Sequence, residues 1–482
     1  MKIVCGRERG LSVLRIEGSY SLDGIIKIQG SKNGVLPVMA ASLLHNGTTV
    51  LEHVPKIQDV FCMLGILNAL GADCRMEENR LVISAVSLSG ARIPEILAGQ
   101  MRSSVMLLGP LLARLGQVET SLPGGCRIGR RPVDLHFLGL TALGASVEKQ
   151  NGMIRAVCPS GGLSGARIHL PYPSVGATEN ILMAAAGARG ETVLTGAARE
   201  PEIEILCGFL RAMGVRVEGE GTSVIKIRGT STFEDTSFFI PGDRIVAGTY
   251  LGAVLCAGGR VFLEQAPAGH MERTIETARQ MGATVESLEE GIRVSMRGRP
   301  HPIRLETGPY PEFPTDMQSV MMAAASIADG TSRIQENVFE NRFCAAKELQ
   351  KLGAHIIIED KFAQVNGVKA LKGASVMAED LRGGAALAAA CLAAEGTSFL
   401  GGYEHIRRGY EDICRDLAGA GDRIELLSQA ENIFSDDRRK ETDGIWTRQE
   451  KNGDPSGSVI SVACDHSGRV LHPDPGDHGY GK

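Results

Sequence analysis

Cys126 lies in the run Pro123-Gly124-Gly125-Cys126-Arg127-Ile128-Gly129-Arg130-Arg131-Pro132-Val133-Asp134-Leu135-His136, where three glycines loosen the backbone and three arginines stand within five residues of the thiol. Positive charge that close favours the thiolate, which makes this cysteine a candidate acid or nucleophile. A lone cysteine in a loop is otherwise inert, and residue chemistry by itself leaves both readings open. The remaining cysteines, of eleven in all, show no C-x-x-C spacing, and Cys62, Cys207, Cys256 and Cys391 sit in apolar helix-like stretches. Those read as reduced core cysteines, not as a disulfide framework or a zinc site.

A second set of reactive types falls where helices should begin: Ser31-Lys32-Asn33, Arg102-Ser103, Ser174-Val175-Gly176, Asp243-Arg244, Thr315-Asp316 and Asp380-Leu381-Arg382. A helix N-terminus exposes unpaired N–H groups and a partial positive charge, so a cation there is unfavourable unless an anion joins it. Lys32 and Arg102 thus point to anionic ligands. The plainer reading makes Ser31, Thr315 and Asp380 ordinary N-caps and the arginines solvated.

The elements that must hold these residues come from a repeat. Leu70-Gly71-Ala72, Leu143-Gly144-Ala145, Met213-Gly214-Val215, Met281-Gly282-Ala283, Leu352-Gly353-Ala354 and the degenerate Ala420-Gly421-Asp422 recur about 70 residues apart. Each closes an amphipathic stretch and opens an alternating one, predicting a helix, a glycine C-cap and a strand. A second series of Ala-rich helical segments ends at Gly47, Gly116, Gly190, Gly259, Gly330 and Gly396. Six such units predict an α/β chain of two pseudo-symmetric domains with three units each, meeting near Phe239 to Asp243, since one helix pair cannot bury both apolar faces alone. After about Leu427 the periodicity stops, which predicts a largely disordered tail.

Composition narrows the class. The 482 residues are 43% hydrophobic, enough for two sizeable cores, but only 4% aromatic with 60 glycines, so the cores must be aliphatic and tightly approached. A net charge of −5 with interspersed signs offers neither the basic stripe that nucleic acid needs nor a polybasic membrane patch. Small-molecule ligands are the expectation. Met1-Lys2-Ile3-Val4-Cys5 lacks a signal core and no run of about 18 uncharged apolar residues occurs, which predicts a soluble cytoplasmic protein.

From about residue 15 to about 427 the sequence resembles the UDP-N-acetylglucosamine 1-carboxyvinyltransferase family. The resemblance is carried by Gly30-Ser31-Lys32-Asn33, Gly125-Cys126-Arg127-Ile128-Gly129, Arg131-Pro132-Val133-Asp134-Leu135-His136, Ser174-Val175-Gly176-Ala177-Thr178 and Arg199-Glu200-Pro201-Glu202. Phe313-Pro314-Thr315-Asp316-Met317-Gln318, Glu340-Asn341-Arg342-Phe343, Asp380-Leu381-Arg382 and Arg408-Gly409-Tyr410 complete it. It implies two inside-out α/β barrel domains of three units each, with the active site in the cleft between them. The implied division is 1–30, packing with the second domain; 31–240, carrying the Cys126 loop; 241–428; and the tail 429–482.

The resemblance also implies the chemistry. The 3-hydroxyl of UDP-N-acetylglucosamine adds to carbon 2 of phosphoenolpyruvate and phosphate then leaves, with no metal or organic cofactor, in the first committed step of peptidoglycan synthesis. On the family's pattern Lys32, Asn33, Arg131 and Arg408 hold phosphoenolpyruvate. Arg102, Arg131, Pro132, Val133, Asp134, Leu135, Ser174, Val175, Gly176, Asp316 and Val338 surround the nucleotide sugar. Asp316 is the implied base, Cys126 the proton donor to the methylene carbon, Lys32 a third catalytic group, and Arg342 and Asp380 are supporting residues. Departures are Cys344-Ala345-Ala346, where a basic or His-containing stretch is common, Gly34 in place of Ala, and Asp422 in the last repeat. Two rivals remain: the shikimate-pathway enolpyruvyl transferase, which the Arg131–His136 run disfavours, and a catalytically silent nucleotide-sugar binder.

Overall fold

A computed structural model of the chain describes residues 12–124, 129, 132–421 and 423–427. The tail expected to be disordered lies outside the described residues, as do Cys126, Arg131 and Asp422.

Six units of similar build follow one another. In each, a helix with most of its residues buried leads to a strand and a second helix packs on the strand that follows it; in all but the last a hairpin then closes the sheet. Arg244–Ala257 buries all but its two terminal residues, and Leu381–Ala393 all but its last. Such helices are layer interiors, not surface elements. The strands bury one face only; Val224–Arg228 alternates strictly between exposed and buried. The sheets therefore lie outside and the helices inside, which is the inside-out arrangement.

Four sheets share one order. Thr284–Leu288, Gly291–Met296 and Gly259–Glu264 pair antiparallel, and Leu22–Lys27 adds a parallel edge. The sheets centred on Glu191–Thr195, Thr331–Gln335 and Thr48–Glu52 repeat that order, with parallel edges Arg167–His169, Arg304–Glu306 and Thr236–Phe239. In the sheet of Gln117–Ser121 the parallel edge shrinks to the bridge between Arg92 and Glu119. In the last unit Val13–Glu17 inserts between Thr397–Gly401 and Arg423–Leu427, antiparallel to both. The start of the chain thus completes two sheets of the later half, and Thr236–Phe239 completes a sheet of the earlier half. No hydrogen-bonded barrel closes among the described residues: the six sheets stay separate, and Leu371–Lys372 with Ala394–Glu395 forms a seventh, two-stranded one.

The repeat glycines explain themselves. Gly71, Gly144, Gly214, Gly282, Gly353 and Gly421 all have φ between +90° and +102°. At Gly214 the chain leaves its helix through Val215 N–H to Leu210 C=O at 3.0 Å, the six-to-one bond of a Schellman turn. Only glycine takes that φ without strain.

Two apolar cores result. One gathers residues from Val35 to Ile240. The other gathers Leu14 to Ile28 with residues from Ile245 to Ile424. Helices in both approach closely over small residues: a Cβ on Gly109 would lie 2.3 Å from Asn180 O, and one on Gly252 2.6 Å from Val320 Cγ2. Cys207, Cys256 and Cys391 are buried in these cores, and burial pushes the thiols of Cys207 and Cys256 up to about 12.

Candidate active site

The starts of the inner helices converge on one cavity of about 740 Å³. Side-chain caps order several of them. Ser31 accepts from Gly34 N–H at 3.1 Å, and Ser174 from Ala177 N–H at 3.4 Å. Asp243 accepts from Ile245 and Val246, and Asp380 from Arg382 and Gly383. Thr315 is not a cap: its hydroxyl donates to Glu336 at 3.0 Å, and Thr315–Met317 forms a 3-10 turn before Gln318–Ala325.

Lys32 opens the helix Lys32–Ala41 and is 7% exposed. Its backbone N–H donates to Asp243 at 2.9 Å, and its ammonium lies 2.8 Å from Asp59. Burial pulls its pKa down, and Arg382 and Arg408 add to that, against the opposing pull of Asp59. Asp59 also receives both arms of Arg408, at 3.1 and 3.3 Å. The segment carrying Arg408 is tied down by Gln29, whose amide donates to Gly409 O at 3.0 Å and accepts from Glu411 N–H at 2.8 Å. Two cations from opposite halves of the fold thereby share one carboxylate.

A second charged group surrounds Asp316, which pairs with Arg342 and lies 3.5 Å from Arg382 Nε. Arg382 is 7% exposed, and one of its terminal nitrogens is buried without a hydrogen-bond partner among the described residues. A guanidinium so placed has a donor left over for an anion. A third group is acidic. Glu202 holds Arg244 through two bonds of 3.0 and 3.1 Å, and Glu200 accepts from Tyr310 N–H at 3.4 Å.

Of the residues expected from sequence, Lys32, Asn33, Arg102, Pro132, Asp134, Leu135, Ser174, Val175, Gly176, Asp316, Val338, Arg342, Asp380 and Arg408 all line this cavity. Val133 does not: it precedes the helix Asp134–Ala142 and packs into the first core, 8% exposed. Gly129, three positions after Cys126 and two before Arg131 in the sequence, abuts Glu340, two residues from Val338 and from Arg342; a Cβ there would meet Glu340 Oε2 at 2.2 Å. His136 lines the cavity as well and bonds Asn180 at 2.9 Å; burial, with help from Arg102, pushes its pKa down to about 4.

Asp59, Glu179, Glu202, Arg244 and Arg382 also line the cavity without having been singled out as site residues. Arg244 and Arg382 were visible at helix starts. Asp59 is an acidic first-turn residue of Gln58–Ala69 like many others, and nothing in the sequence marks its partners.

The geometry can be set beside known proteins. A model of the EPSP synthase (3-phosphoshikimate 1-carboxyvinyltransferase) family matches residues 16–417. UDP-N-acetylglucosamine 1-carboxyvinyltransferase 2 of Carboxydothermus hydrogenoformans is 43% identical over 415 residues, covering 86% of this chain and 99% of the relative. The UDP-N-acetylglucosamine 1-carboxyvinyltransferase of Anaeromyxobacter sp. is 45% identical over 415 residues, covering 86% and 98%. Among solved structures, the enolpyruvyl transferase NikO from Streptomyces tendae superposes with a TM-score of 0.78 at 22% identity, covering 87% of this chain and 99% of that one. An EPSP synthase from Acinetobacter baumannii gives 0.67 at 21% identity, covering 86% and 100%. These two establish the fold. With the family model matched along most of the chain and the relatives aligned over nearly their whole length, the chain belongs to the EPSP synthase family of carboxyvinyltransferases, among the UDP-N-acetylglucosamine 1-carboxyvinyltransferases.

Proposed function

We propose that this chain transfers the enolpyruvyl group of phosphoenolpyruvate to the 3-hydroxyl of UDP-N-acetylglucosamine and releases phosphate, a step of peptidoglycan synthesis. The observation that carries the site assignment is the meeting in one cavity of Asp316 with Arg342 and Arg382, and of Lys32 with Arg408.

Phosphoenolpyruvate carries a phosphate and a carboxylate, and a buried cleft can hold both only against several cations. Lys32, Arg408 and Arg131 take the phosphate side, with Asn33 at the reacting region, while Arg342 and the leftover donor of Arg382 suit the carboxylate. In binding, the substrate competes with Asp59 and Asp316 for the cations those acids now neutralise, which frees Asp316 for the sugar hydroxyl. Asp316 takes the hydroxyl proton as the oxygen bonds to carbon 2, and Cys126 delivers a proton to the methylene carbon, giving a tetrahedral intermediate with a methyl group. A base of the site then takes one methyl proton, the C–H electron pair re-forms the double bond, and phosphate leaves with the electrons of the broken carbon–oxygen bond. The nucleotide sugar lies along Arg102, Pro132 to Leu135, Ser174 to Gly176 and Val338, with the amides of the Val175–Ala186 start near its diphosphate. Asp380 supports the cleft as a helix cap.

The same reading divides the chain at about residue 240, sets the first thirty residues with the second domain, leaves 429–482 as a tail, and places the protein in the cytoplasm beside its substrates.

The intermediate's methyl group supplies the test. Turnover in D2O should put deuterium on the vinyl carbon of the product, read by mass spectrometry. A product formed at full rate without deuterium would rule out addition followed by elimination.

A further inference from the structure

Glu179 sits one turn inside the helix Val175–Ala186, behind Ser174 and Val175. It lines the cavity yet is 1% exposed, and its Oε2 has no hydrogen-bond partner among the described residues. Neighbouring acids are matched: Asp59 by Lys32 and Arg408, Glu202 by Arg244, Glu200 by Tyr310 N–H. A buried polar atom left unmatched inside a ligand cavity marks a place where a ligand atom would complete the pairing.

The surroundings say what kind of atom. Burial, and after it Glu202 and Glu200, push the Glu179 carboxyl well above the usual carboxylate range, so it keeps its proton where an ordinary glutamate has lost it. A neutral carboxyl offers one donor and one acceptor, the complement of a hydroxyl or an amide. An anion here would face Glu202 and Glu200 beside Glu179, and the nearby cation Arg244 is already held by both oxygens of Glu202. Elements packed on the helix add Arg102, Asp134 and neutral His136; Arg114 at the end of Leu108–Leu115; Glu204 and Arg211 from Pro201–Ala212; and exposed Lys226 and Arg228.

We propose that the free carboxyl oxygen of Glu179 is a specificity contact of the acceptor site, which takes a neutral hydroxyl or amide of the sugar and disfavours an acceptor with negative charge at that place. This rests on a nucleotide sugar being the acceptor. Glu179 is a positioning residue for that sugar and exchanges no proton with the reacting atoms.

The test is calorimetric binding of UDP-N-acetylglucosamine and of UDP alone to the full chain, with Glu179→Gln and Glu179→Val, from neutral to alkaline pH. Glu179→Val should weaken the nucleotide sugar about fivefold to tenfold while UDP is unchanged. Glu179→Gln, neutral and still able to hydrogen-bond, should match the wild type at neutral pH. Once pH is high enough to ionise Glu179, the glutamine variant should bind tighter than the wild type, because glutamine cannot ionise. Equal weakening of UDP and the sugar nucleotide by Glu179→Val, or no weakening of either, would overturn the proposal. Binding without turnover would leave it standing and sink the enolpyruvyl transfer instead.

Discussion

At the scale of single residues, Asp316 carries the sharpest expectation. Asp316→Asn should cut turnover by about a thousandfold while nucleotide-sugar binding stays within about tenfold, because loss of a base acts on the transition state more than on the ground state. Steady-state kinetics beside calorimetry checks this, and near-normal turnover would remove Asp316 from the mechanism. His136 makes a prediction about stability. Its folded pKa of about 4 lies below the ordinary 6.5, so it contributes stability that is full above 6.5 and is lost as pH falls toward 4. The shift corresponds to about 3 kcal/mol. Urea unfolding of the wild type should therefore lose more stability across that window than His136→Gln does; parallel losses would show that His136 is not buried neutral. The residues legible in sequence, such as Lys32 and Ser174, are those whose meaning is local: a cation or a cap at a helix start. Asp59 was not legible, because its partner Arg408 lies 349 positions away and only the fold joins them. Val133, which the resemblance sets near the nucleotide sugar, packs into the first core, a placement that the sequence alone does not show.

At the scale of elements, the glycines divide into two kinds with different costs. Gly353 has φ +93° and open space around a would-be Cβ, so Gly353→Ala should cost only the backbone strain, about 1 kcal/mol. Gly109 has ordinary helical geometry, but its Cβ would fall 2.3 Å from Asn180 O, and its N–H is bonded to Asn180 Oδ1 at 2.6 Å. Gly109→Ala must push two inner helices apart and should cost about 3 kcal/mol or more. Equilibrium unfolding of both variants checks the order, and a reversed order would mean that the helix contact can relax. The first kind announces itself as a repeat in the sequence. The second is invisible there, since nothing in Leu108-Gly109-Pro110 says which helix lies against it.

At the scale of the whole molecule, the sixfold repeat was legible because every unit ends its second helix in the same glycine turn. The exchange of strands was not legible from periodicity: Val13–Glu17 looks like any short strand, and only pairing shows it between Thr397–Gly401 and Arg423–Leu427. That exchange, with the bonds from Gln29 to Gly409 and Glu411 and the pairs Asp59–Arg408 and Glu202–Arg244, ties the two cores around one cavity. A site assembled from both cores can bring two substrates together and exclude water from them. Phosphate release by the full chain measures the identity of the acceptor most directly. With phosphoenolpyruvate present, UDP-N-acetylglucosamine should trigger release of one phosphate per sugar converted, and 3-phosphoshikimate should trigger none. Release with 3-phosphoshikimate in place of the nucleotide sugar, or none with either from a folded chain, would contradict the account.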